Sequence, residues 1–158
     1  MPGGPMSRRD QIRMTEGEVE AFLGETRTLQ VASLNSDGTI HLVAMWFGLL
    51  DGRIAFWTYG KSQKVANLRR DPTITVMVED GDLYEELRGV SVVGRAAIVD
   101  DQELVLRYGV AIYEKHWGSL TDDLVRAGIA QQAAKRVVVT VEPERVISWD
   151  HRKLGGVY

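Results

Sequence analysis

The chain has 158 residues, 19 Lys and Arg against 22 Asp and Glu, and no cysteine. Its net charge of −3 implies no general attraction to nucleic acid, and the missing thiols exclude disulfides, thiolate catalysis and thiolate metal sites. The length suits one domain with a substantial core. No apolar run approaches the ~18 residues that span a membrane. Residues 1–14 lack the apolar segment of a signal peptide, so they read as a loose tail on a cytoplasmic protein, with the domain at 15–158. His41, His116 and His151 are scattered without metal-ligand spacing, and no metal site is assigned.

In chain order, Thr15 and Glu18 form a capping box before a helix carrying Val19, Phe22 and Leu23. A strand is expected from about Thr28 to Leu34. Asn35-Ser36-Asp37-Gly38 is a hairpin signal, and a long second strand runs from Thr39 to about Leu50. After the turn Asp51-Gly52, a third strand covers Arg53 to Thr58. A short helix follows, with Ser62 as N-cap and Pro72 as its stop. Thr73 to Glu79 is a fourth strand, and Leu87 to Val99 a fifth, with Gly89 and Gly94 at bends or bulges. Asp100 and Glu103 suggest another capping box, opening a helix that buries Leu104, Val105, Tyr108, Ala111 and Ile112; Lys115 near its end reads as a surface lysine. A further helix from about Thr121 to Ala134 is expected to bury Leu124, Val125 and Ile129. Arg136 to Glu142 is the sixth strand; Pro143 interrupts it, and pairing resumes at Arg145 to Asp150.

Hairpin-linked strands with few long crossovers point to a mainly β fold with flanking helices, an antiparallel sheet closed into a barrel. The second strand is apolar on both faces. Ile40, Leu42, Ala44 and Trp46 fall on one, Val43, Met45, Phe47 and Leu49 on the other. A strand with one solvated face alternates apolar with polar. Its outer side must therefore be covered by a helix, a partner subunit or an apolar ligand, and the sequence leaves all three open.

The segment Gly60-Lys61-Ser62-Gln63-Lys64 sets two lysines at the start of a helix, where the peptide dipoles already favour anions. Free amides, a hydroxyl and two ammonium groups make an anion site, most naturally for a phosphate; two solvated surface lysines are the alternative. It is not a P-loop, because that motif needs a glycine where Ala55 stands.

Taken together, the hairpin Asn-Ser-Asp-Gly, the two-faced strand and the run Gly-Lys-Ser-Gln-Lys-x-x-Asn-Leu-Arg-Arg-Asp-Pro before Thr-Ile-Thr-Val-Met-Val resemble the split-barrel flavin-binding superfamily that includes pyridoxamine phosphate oxidase. The Ser-x-Lys-x-x-Asn-Leu-Arg-Arg-Asp-Pro part resembles its actinobacterial flavin/deazaflavin oxidoreductases of the B group. The resemblance covers roughly Thr15 to Asp150. It implies a homodimer of six-stranded antiparallel split β-barrels, with cofactor sites at the interface. It places Lys61, Ser62, Gln63 and Lys64 on the cofactor-phosphate loop, with Lys64 the best-matched phosphate ligand. Val43, Ala44, Met45 and Trp46 fall where the strand meets the ring system, and Thr58 and Tyr59 near the ribityl-phosphate arm. Asn67 matches the motif as well, either as a ligand or tying loop to helix.

The activity this implies is transfer of a hydride from the reduced deazaflavin coenzyme F-420 to an unsaturated small organic substrate. FMN oxidase or reductase chemistry is the nearest alternative, and a non-enzymatic cofactor-binding protein the third. No catalytic acid or base is assigned: His41 reads as structural, and Tyr59 as packing ahead of proton donation. The basic residues in Asp150-His151-Arg152-Lys153 form either a solvated tail or a holder for the coenzyme's oligoglutamate.

Overall fold

The computed structural model describes residues 4–157. Seven strands form one sheet: β1 (Thr28–Leu34), β2 (Ile40–Trp46), β3 (Gly48–Leu50), β4 (Arg53–Tyr59), β5 (Thr73–Asp80), β6 (Arg88–Val99) and β7 (Arg136–Asp150). The helices are α1 (Arg8–Gln11), α2 (Glu16–Glu25), α3 (Gln63–Arg70), α4 (Gln102–Trp117) and α5 (Asp123–Ala133).

All pairings are antiparallel, in the order β2-β1-β5-β6-β7-β4-β3. The two edge strands, β2 and β3, are separated in sequence by Phe47 alone, so the sheet curls into a barrel. This is also why there are seven strands and not the expected six. The long second strand changes partner at Phe47, from β1 to β4, and the buried phenyl ring marks the break.

Alternation fills the barrel. Leu29 and Val31 of β1 and Ile74, Val76 and Val78 of β5 turn inward, Val31 opposite Val76, and α2 adds Phe22 and Leu23 from one end. Each such side chain contributes roughly 1.5–3 kcal/mol by leaving water. A second cluster lies outside the sheet, where α4 and α5 set Val105, Tyr108, Ile112 and Ile129 against Ala55, Trp57 and Val138.

Pro143 does not interrupt β7. The ladder with β6 shifts register at Val93/Gly94, where Gly94 faces Pro143 and Val93 faces Arg145, so the proline sits in a bulge. A Cβ on Gly94 would stand 2.1 Å from the carbonyl oxygen of Glu142, and one on Gly89 would stand 2.2 Å from the Trp149 ring.

The first capping box forms as read: Thr15 Oγ1 accepts from the Glu18 amide at 3.2 Å, and the Thr15 amide donates to Glu18 Oε2 at 2.7 Å. The second is displaced by one residue, since Asp101, not Asp100, accepts from the Leu104 amide at 2.9 Å. α5 turns Val125, Ile129 and Ala133 inward at four-residue spacing, which leaves Leu124 83% exposed and not buried as expected. Ala111 is exposed too.

Of the expected tail, the last residues dock. Met14 is buried, its amide donates to Ser148 Oγ at 3.0 Å, and the Ile12 carbonyl accepts from the Asp150 amide at 2.7 Å. Arg152 and Lys153 of the C-terminal basic run are exposed but hydrogen-bonded within the chain. Arg152 donates to both carboxylate oxygens of Asp150 at 2.8 and 2.7 Å, and Lys153 donates to Glu18 at 2.6 Å and to the Arg13 carbonyl at 2.8 Å. No described helix is long and apolar enough to cross a membrane.

Candidate functional site

Thr58, Tyr59 and the loop residues Lys61 to Lys64 lie where β4 ends, α3 begins and β7 starts, while Val43 to Trp46 lie on β2. β4 delivers Thr58, buried, and Tyr59, exposed. The β4–β7 ladder then sets Arg136 directly opposite Tyr59. Its guanidinium lies over the rings of both Trp57 and Tyr59, each at 4.6 Å from the centroid. In the first turn of α3, Lys64 reaches back to donate to Thr58 Oγ1 at 3.0 Å. Burial, then the charge of Arg136, push the Lys64 pKa below its ordinary value.

Ser62 stands at the N-cap with extended backbone, but its side chain accepts no cap hydrogen bond. The expected cap is thus absent, and the hydroxyl is buried without a partner. So are Trp57 Nε1 and Arg136 Nε. Orphaned buried donors are costly, about 1–3 kcal/mol each. Arg136 lies over the Trp57 ring, and Ser62 and Lys64 open the helix that follows β4. No carboxylate pairs with either cation among the described residues, and the Arg136 guanidinium donates to Gln132 Oε1 at 3.4 Å. The unpartnered groups are two N–H donors and a hydroxyl that can donate, beside two cations, so the group they suit is an anion with several acceptor oxygens.

The remaining sequence candidates divide. Lys61 and Gln63 are exposed on the same loop, and Gln63 Nε2 donates to Asn67 Oδ1 at 2.9 Å. Asn67 is fully buried and its Nδ2 donates to Ser33 Oγ at 3.1 Å and Asn35 Oδ1 at 3.0 Å. Its amide is consumed in fastening α3 to the β1–β2 hairpin. In β2, Val43 and Met45 pack against the barrel core, so their side chains face away from an outer ligand. Ile40, Leu42, Ala44 and Trp46 face out, with Ile40 68%, Leu42 65% and Trp46 41% exposed. α4 and α5 cover Trp57, and α4 meets Trp46 of this row through Tyr113, His116 and Trp117. His41 is half-buried opposite Ser33, its Nδ1 unpartnered.

Arg136 and Trp57 are the residues that sequence reading missed. The one local signal is a basic residue opening an otherwise valine-rich strand, and only the β4–β7 register gives it a place.

A search of the curated proteins found no match. Among solved structures, the fold is similar to conserved hypothetical protein Rv2991 from Mycobacterium tuberculosis, at 43% identity over 97% of this chain and 95% of that one, TM-score 0.89. It is similar to an F-420 reductase at 26% identity, over 80% and 94% of the two chains, TM-score 0.63. An FAD-binding protein from Mesorhizobium loti, 19% identical over 85% and 93%, shares the fold at TM-score 0.63. The model of the pyridoxamine 5'-phosphate oxidase family matches residues 15–150, and with the curled antiparallel barrel this shows that the chain belongs to that family.

Proposed function

We propose that this chain is an oxidoreductase that holds a phosphorylated flavin-type cofactor, coenzyme F-420 ahead of FMN, and acts on an unsaturated small organic molecule. The observation that carries the reading is the set of Lys64, Arg136, Ser62 and Trp57 at the end of β4 and the start of α3 and β7, with no carboxylate paired to either cation among the described residues. The residues fit a phosphate group: Lys64 and Arg136 supply charge, and Ser62 Oγ and Trp57 Nε1 supply donors with no other use. Such a cofactor, when bound, supplies the hydride chemistry. The chain holds its phosphate end and borders its ring with the outward side chains Ala44 and Trp46 and the backbone of β2 between Val43 and Trp46. The likeness to an F-420 reductase supports the deazaflavin ahead of FMN.

The working unit in this reading is a homodimer. Ile40, Leu42 and Ala44 offer an exposed apolar row that no described helix covers, and apolar patches of this kind mark interfaces. Titration of ligand-free protein with F-420 and with FMN tests the cofactor. Saturable binding of one, weakened in Lys64→Ala, is the expected result. Failure of both to bind would end the proposal.

A further inference from the structure

Trp46 lies flat on the ring of His116, with centroids 4.3 Å apart and planes 16° from parallel. His116 is itself buried and pinned. Its Nδ1 is 2.9 Å from the Ile112 carbonyl oxygen and its Nε2 2.9 Å from that of Arg27. The imidazole is therefore a fixed plate behind one face of the indole. Tyr113 and Trp117 each meet Trp46 at 5.8 Å and close to perpendicular, and they meet each other at 4.8 Å. With three aromatic neighbours, Trp46 still keeps 41% of its surface exposed and Trp117 61%. Since one face of Trp46 is against His116, the exposed part lies on the other side. Single exposed apolar residues are ordinary, but two adjoining indoles held at a right angle are a recess shaped for another ring.

The position of this recess narrows its occupant. Tyr113 also meets the Trp57 ring at 6.1 Å, and Trp57 lies beneath Arg136. A chain of ring contacts, buried at Trp57, thus links the ring beneath Arg136 to Trp46 and Trp117. We propose that the open side of Trp46, edged by Trp117, is a stacking slot for a planar aromatic molecule, and that Trp117 sets specificity for it. That this molecule is the substrate rests on the oxidoreductase reading above; the slot itself does not.

The test begins with cofactor-free protein carrying 5-fluorotryptophan at its four tryptophans. Its fluorine resonances, assigned with single Trp→Phe variants, are followed while menadione is added; with no cysteine in the chain, the quinone has no thiol to arylate. Saturable shifts of Trp46 and Trp117, with Trp149 unmoved, are expected. Trp117→Ala, a change at an exposed site, should weaken menadione binding by roughly two- to tenfold, the worth of one aromatic contact. In turnover it should raise KM for menadione by a similar factor while leaving kcat, and KM for the non-aromatic cyclohex-2-enone, in place. Absent shifts, equal shifts of all four resonances, or shifts that follow protein concentration without menadione overturn the slot, the last because a second copy would then cover it. Menadione binding in a protein with no affinity for F-420 or FMN leaves the slot standing and defeats the oxidoreductase reading alone.

Discussion

The ammonium of Lys64 lies 3.0 Å from the hydroxyl of Thr58, a neutral oxygen in the place where a half-buried lysine usually finds a carboxylate. Arg136 adds a second positive charge, and burial with that charge lowers the Lys64 pKa. The Thr58 hydrogen bond is all the described structure gives Lys64 against this desolvation and repulsion. A phosphate bound here would turn the repulsion into attraction.

Lys64→Ala should therefore separate binding from stability. Loss of a charge-assisted bond worth roughly 1.5–3 kcal/mol lowers cofactor affinity about 10- to 150-fold. The cofactor-free protein should melt at the same temperature or slightly higher, since desolvation and like-charge repulsion are both relieved. Arg107, exposed on α4, is the comparison site, and its alanine variant should leave affinity within ~0.5 kcal/mol of the parent. Isothermal titration beside thermal melts decides. Unchanged affinity at Lys64 would show that the cluster holds no phosphate.

The dimer is tested on the outward row of β2. Leu42→Asp places a carboxylate on the exposed apolar face, where it costs a monomer little but an interface several kcal/mol. Sedimentation should show the parent as a dimer and the variant as a folded monomer. Met45 would be the wrong choice, because it packs toward the barrel core and its substitution by Asp would unfold the chain. A Leu42→Asp protein that remains dimeric would remove β2 from the interface.

Much of this was legible in the sequence because it is local. The Thr15–Glu18 box, the α3 boundaries at Ser62 and Pro72, and the hairpin at Asn35–Gly38 depend on neighbours a few residues apart. The loop lysine at position 64 was legible for the same reason. Arg136 was not, since it reaches the site only by pairing with Tyr59 across β4 and β7. The two-faced character of the second strand was plain, but which face turns inward is set by its change of partner at Phe47. Pro143 misled because a proline usually ends a strand, and the bulge that accommodates it needs Gly94 on the facing strand.

Two glycines inside helices should respond to alanine with opposite signs. A Cβ on Gly109 of α4 would come within 2.6 Å of the Trp57 ring, whereas one on Gly128 of α5 meets nothing within 4 Å. Gly109→Ala must push Trp57 or the helix aside and should cost about 1–3 kcal/mol. Because Trp57 carries Arg136 on its face, cofactor affinity should fall as well. Gly128→Ala gains helix propensity and should add up to ~1 kcal/mol. Urea melts of both variants check the pair, and like signs would mean that α4 does not pack on Trp57 this closely.

Lys115, read from sequence as a surface residue, is instead half-buried. Its Nζ stands 3.8 Å from the centre of the Phe47 ring and donates to the Leu23 carbonyl at 3.1 Å. Leu23 lies in the last turn of α2, whose carbonyls lack intrahelical partners, so the lysine caps that helix from α4. Burial pushes its pKa down from 10.5 to about 8. Because the folded value is the lower one, the folded state gives up its proton first as pH rises. Between pH 8 and 10.5 the unfolded chain binds more protons, so this residue's contribution to stability grows with pH there. Below pH 8 the charged side chain carries the full desolvation penalty. The slope should fall well short of the ~1.4 kcal/mol per pH unit of a fully buried group, since solvent still screens the ammonium. Lys115→Met keeps the contact with Phe47 and has no proton to lose. In urea unfolding at pH 7.5 and 9.5, the parent should gain stability relative to the variant as pH rises. Parallel behaviour of the two proteins would mean that the ammonium is solvated and not held against Phe47 and Leu23. A relative loss by the parent would mean that these contacts stabilise the ammonium by more than burial costs it.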